Sequence, residues 1–108
     1  MICLFFMIDI EVSKQLEQDF EKYMLQFFAK YQRFSLEDFG TFAVSILNYN
    51  VNNHRIDKKL KEEYAYFLIS LYNKGIGNRI TEEHLREIAH VIAMDHQVDF
   101  NVINDLYG

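Results

Sequence analysis

The 108-residue chain predicts an all-α fold: a compact bundle of four main helices, a short C-terminal helix and a short extended N-terminal arm. Three observations predict it. Half of the residues are hydrophobic and 16% are aromatic, against a charged fraction of 25%, so one helical domain over 1-108 has enough apolar surface for a core. Apolar side chains recur at three- and four-residue spacing along most of the chain. Three segments also open on one grammar: apolar residue, cap, three residues, apolar residue.

The opening "MICLFFMIDI" is apolar but far short of the ~20 residues that span a bilayer. It has no basic run and no small-residue cleavage site, which argues against a signal peptide. It reads as a short extended arm packed on the core, or as an early start to a chain that begins at Met7. The first helix is expected over about Glu11 to Arg33. Leu16, Phe20, Tyr23, Met24, Phe27 and Tyr31 share one face, and Leu25 departs from it. In "FSLEDF", Ser35 caps the second helix, Asp38 stands at its third position, and Phe34 can staple to Phe39. That helix runs from Leu36 to about Tyr49. Its apolar residues cover well over half its circumference, so it is expected to be central, with Gly40 and Ala43 admitting a close neighbour.

The third helix is expected over about Lys58 to Asn73, with Leu60, Tyr64, Phe67, Leu68 and Leu71 inward. Gly75 is expected to supply the left-handed residue after it. Thr81 caps the fourth helix, Glu82 to about Met94, with Ile80 stapling to Leu85. Asp99 caps a short fifth helix, Phe100 to Tyr107, with Val98 stapling to Ile103.

Composition bounds function. The formal net charge is -5, which disfavours nonspecific grip on a phosphate backbone and favours a basic protein surface. Residues 1–50 carry four Lys/Arg against seven Asp/Glu, 51–74 carry five against three, and 75–108 carry two against six. The middle segment is the basic part. One cysteine, Cys3, excludes an internal disulfide framework and a cysteine-based zinc site, and it fits a reducing cytoplasm. There is no proline and no tryptophan, and Asn, Lys, Ile, Tyr and Phe are frequent. That usage suits a low-GC bacterium or its phage.

"EEHLREIAHVIAMDH" holds three of the four histidines, His84, His90 and His96, with carboxylates between them. At about 100° per residue, a step of six turns by roughly 240°. The three imidazoles therefore diverge and cannot share one ion. Glu87 and His90 have the i,i+3 spacing of di-iron bundles, but no second Glu-x-x-His follows. Glu83, Glu87 and His90 also lie opposite the Leu85, Ile88, Ile92 stripe. A metal site is not expected.

The same stretch, read on to Tyr107, has the small residues Ala89 and Ala93 of a degenerate helix-turn-helix over about 82-107. Its second helix carries Asp105 and no Lys or Arg, with only Asn101 and Asn104 as donors, which is poor chemistry for a major groove. A DNA-binding transcriptional regulator is the alternative reading. Its phosphate contacts would come sooner from "HRIDKKLK", with Arg55, Lys58, Lys59 and Lys61.

Catalysis finds little support. Cys3 sits in an apolar run, unlike an activated thiolate. No serine has a nucleophile-elbow glycine pattern, and "NKGIGNR" lacks a P-loop's lysine and hydroxyl. Glu62–Glu63 and Glu82–Glu83 are adjacent on their helices and diverge.

What remains is surface. Tyr66 and Ile69 fall opposite the expected inward stripe of helix three, flanked by Glu62 and Asn73, and Glu83, Glu87 and His90 form the outer face of helix four. The expectation is a small acidic noncatalytic protein of regulatory, inhibitor or immunity type. It would bind another protein, or itself as a homodimer, through such a helical face. No cofactor, small-molecule ligand or membrane contact is expected.

Overall fold

Helix α1, Ile10–Tyr31, begins where the Asp9 carboxylate accepts the N–H groups of Glu11 and Val12 at 2.8 and 3.2 Å. That cap satisfies donors that would otherwise be orphaned in the first turn, and the sequence reading passed over it. The computed structural model describes residues 8–94. The N-terminal arm and the fifth helix with its Asp99 cap lie outside the described residues. α1 stops two residues short of the expected Arg33. Gln32 takes a left-handed conformation, φ 58°, and its N–H donates to the Phe28 carbonyl.

Helix α2, Leu36–Asn52, opens on the expected capping box. The Ser35 N–H donates to Asp38 Oδ2 at 2.9 Å, and Ser35 Oγ accepts the Asp38 N–H at 3.3 Å. The helix runs three residues past Tyr49. Buried Asn50 then turns the chain: its Nδ2 donates to the Ile46 carbonyl at 2.7 Å, and its own carbonyl accepts the N–H groups of Arg55 and Ile56.

The expected third helix divides in two. Lys58–Leu60 form a 3-10 turn capped by Asp57, and α3 follows over Lys61–Gly75. Gly75 is not the left-handed residue. It ends the helix, and Gly77 takes φ 89° instead. The Gly77 N–H bonds the Lys74 carbonyl and the Asn78 N–H bonds the Asn73 carbonyl at 2.8 Å, a Schellman closure displaced by two residues from the expected one. Helix α4, Glu82–Met94, has the expected bounds, and Thr81 Oγ1 accepts the His84 N–H at 3.4 Å.

The four helices pack as an all-α bundle with no strand among the described residues. Its radius of gyration of 13.1 Å equals the ~13 Å of a folded 100-residue domain. Both α2 and α3 touch the other three helices, and α3 pairs most extensively with α4. Being enclosed on three sides rotates the buried arc of α3. Tyr64, Ala65, Leu68, Ile69, Tyr72 and Asn73 are buried, whereas Leu60, Phe67 and Leu71 are only partly so. The core is heavily aromatic. Phe20 of α1 contacts Phe39 edge-on with ring centroids 5.8 Å apart, and Tyr23 stacks on Phe42 at 4.7 Å. Such ring pairs add roughly 0.5–1.5 kcal/mol to the gain from area buried.

Candidate functional site

The residues singled out on α3 and α4 separate once the helices pack. Ile69 is fully buried and Asn73 is nearly so, which removes both from the expected partner-binding face. Asn73 points its amide at the α3–α4 turn, where Nδ2 donates to the Ile80 carbonyl at 3.1 Å and Oδ1 accepts the Ile80 N–H at 2.8 Å. The physical reason is the rotated arc of α3: the side expected to face solvent is the side that α4 covers.

The other five residues stay at the surface. Glu62 of α3 and His90 of α4 meet across the seam, Oε1 to Nδ1, at 2.8 Å. Their side chains remain 52% and 59% exposed, so this is a surface pair. Glu83 and Glu87 are exposed. Tyr66 is partly buried under Arg86, whose guanidinium lies 4.7 Å from the ring centroid. Between these groups lies a cleft of about 90 Å³, lined by Glu62, Glu63, Tyr66, Arg86 and Ala89. It falls well below the ~300–1,000 Å³ of ligand pockets. Glu63 Oε2 is buried there with no hydrogen-bond partner among the described residues. His90 is thus paired with a glutamate from another helix, not with Glu87 on its own. Among the described residues, no three His, Cys, Asp or Glu side chains are grouped to hold a metal ion.

The basic segment is also divided. Arg55, Lys58 and Lys59 are exposed, whereas Lys61 is buried at the start of α3 and drops out of the expected phosphate-binding group. The second half of the helix-turn-helix, after Met94, lies outside the described residues.

Two buried tyrosines have perturbed acidity. Burial pushes the Tyr64 hydroxyl above the usual tyrosine range of about 10; the N–H of Asp9, donated to it at 2.8 Å, opposes the rise, and the Asp9 charge adds to it. Burial likewise raises Tyr72, with the Asp38 charge adding and Arg79 opposing. Neither group sits in a reactive constellation.

A larger opening lies elsewhere, between the C-terminal halves of α1 and α3. The two helices run side by side in the same direction. Asp9 and Tyr64 join their N-terminal ends, and Met24 and Phe28 face the Leu71–Gly75 end of α3. The groove there measures about 570 Å³, within the ligand-pocket range. Its floor is the aromatic trio Phe20, Phe34 and Tyr72, with Phe34 ring centroids 6.0 Å from Phe20 and 6.1 Å from Tyr72. Phe34 is thus fixed by α1 and α3 as well as by its place before the α2 cap. A Cβ added at Gly75 would meet nothing within 4 Å, so the mouth is open at the end of α3.

Leu25 and Phe28 form the lip and are 66% and 55% exposed. Tyr31, one turn further on, is 47% exposed. Charge is confined to the rims, Glu17 and Glu21 on α1 and Lys74 on α3. Sequence reasoning marked Leu25 as out of phase but missed Phe28. The signal was available: Phe28 lies one turn beyond Met24 on a face already apolar.

Fold and site together define a small helical bundle with an open, charge-rimmed apolar groove. No family model, no curated protein and no solved structure matches the chain. No helix among the described residues is long and apolar enough to cross a membrane.

Proposed function

We propose that this is a noncatalytic protein-interaction module that engages its partner through the α1–α3 groove. The observation that carries the reading is the solvent-facing lip of Leu25 and Phe28 beside an aromatic floor. Large apolar side chains on a water-exposed surface gain free energy when covered, and aromatic anchors beside a concave pocket are the usual energetic centre of an interface. Glu62 and Glu63, with His90 paired to Glu62, belong to a seam whose cleft, about 90 Å³, is too small for a substrate. The role proposed is regulation or inhibition of the partner by occupancy.

The test is site-specific photocrosslinking. A benzoyl-phenylalanine is placed at position 28 in one preparation and at position 66 in another, and each is mixed with source-cell lysate. Adducts at 28, absent at 66 and absent when Leu25→Ser is also present, are the expected result. Adducts at 66 alone would move the interface to the α3–α4 seam and overturn the reading.

A further inference from the structure

We propose that the groove is filled, in the protein on its own, by a second copy of the chain related by a two-fold axis running along the groove. The inference rests on the groove being an interaction surface. It names the resting occupant, which an outside partner must displace.

The charges on the rims select this symmetry. Glu17 and Glu21 stand on the α1 rim and Lys74 on the α3 rim. None of the three is in an ion pair among the described residues. They also stand level with one another. α1 and α3 run in the same direction from the Asp9–Tyr64 hydrogen bond. At a rise of ~1.5 Å per residue, Lys74 is about 15 Å along α3 from Tyr64, and Glu17 and Glu21 are about 12 and 18 Å along α1 from Asp9. A two-fold along the groove keeps that level and exchanges the rims. Each Lys74 then faces the gap between Glu17 and Glu21 of the other copy, twice per dimer. A two-fold across the groove sets Glu17 and Glu21 against their own counterparts, where like charges repel.

Shape follows the same rule. The α1 rim is high, because Leu25 and Phe28 project into solvent. The α3 rim is low: it ends in Gly75, where an added Cβ would meet nothing within 4 Å. Exchanging the rims lays the high edge of each copy over the low edge of the other, above the floor of Phe20, Phe34 and Tyr72. An isologous interface requires such self-complementarity. Beyond the groove, Lys30 and Arg33 lie over the Tyr31 ring at 5.2 and 5.8 Å. Those cations suit an acidic neighbour, and a second copy carries a net charge of -5. Repulsion between the two net charges acts at longer range and is screened beyond about 8 Å at physiological ionic strength.

The experiment is sedimentation equilibrium of the purified full chain from micromolar to millimolar concentration. A reversible monomer–dimer equilibrium is expected. Phe28→Ser should weaken it at least tenfold, with Leu25→Ser as a second variant and circular dichroism confirming the fold of each. Glu17→Lys with Glu21→Lys should also weaken it at least tenfold, and adding Lys74→Glu to that pair should restore it. Glu83→Lys with Glu87→Lys, which changes net charge equally on α4, should not weaken it. A monomer at every concentration would overturn the inference. So would a dimer indifferent to Phe28→Ser and Leu25→Ser, or one that Lys74→Glu fails to restore. In each of those cases, crosslinks from position 28 to another protein, abolished by Leu25→Ser, would leave the groove standing as an interaction surface. Their absence would sink the groove as well.

Discussion

Asn73 and Ile80 exchange two hydrogen bonds across the α3–α4 turn, at 3.1 and 2.8 Å, in a buried position. The amide takes both backbone groups of Ile80 and so fixes the angle at which α4 returns along α3. It also steadies the end of α3 that forms one wall of the groove. Asn73→Ala leaves a buried N–H and carbonyl without partners, a loss of about 2–3 kcal/mol. The urea midpoint should fall accordingly, and a change too small to resolve would show that water replaces the amide.

Ile69 is a core residue. Ile69→Ala should cost about 2–5 kcal/mol in equilibrium unfolding, the range for deleting a large buried side chain. A near-neutral effect on stability would return Ile69 to the surface and to the interface role that its sequence position suggested.

The tyrosines set an alkaline limit. Burial raises both Tyr64 and Tyr72 above their unfolded value of 10.0. The neutral ring is the form that the fold favours, so stability holds below about pH 10 and is lost as pH rises through the folded values. Tyr72→Phe should blunt that fall. Tyr64→Phe should blunt it too, and also cost about 1 kcal/mol at neutral pH, because the Asp9 N–H loses its acceptor. Denaturation midpoints from pH 7 to 11.5 measure both. An alkaline fall unchanged in the double variant would assign it to other groups.

The Glu62–His90 bridge should matter little to stability. With both side chains more than half exposed, Glu62→Gln or His90→Ala should change the unfolding free energy by under about 1 kcal/mol, less in high salt. A larger loss would mean that the pair clamps α4 to α3.

Much of the fold was legible in local chemistry. Ser35 with Asp38, and Thr81 before an amphipathic run, announce helix starts through short-range hydrogen bonds that need no tertiary context. The Leu85, Ile88, Ile92 stripe gave the inner face of α4 because that helix is covered on one side, and all three are buried. α3 was misread because it is enclosed on three sides. Its apolar residues surround the axis, and no phase within the helix tells which arc will be most deeply covered. Asn73 was read as surface because a polar side chain usually is; its partners lie seven residues on, in a backbone conformation that only Gly77 and Asn78 create. The groove is not legible in the sequence for a related reason. Leu25 and Phe28 are local facts, but the floor beneath them joins α1, the α1–α2 connection and α3, a meeting that no single stretch of sequence encodes.

The most direct test of the groove as the interaction surface is a ¹H–¹⁵N correlation spectrum of the full chain, recorded as the partner captured by crosslinking at position 28 is added. Shifts are expected at Met24, Leu25, Phe28, Leu71, Gly75 and Ile76, with Glu62, Glu87 and His90 unmoved. Shifts centred on the α3–α4 seam, with Leu25 and Phe28 unmoved, would contradict it.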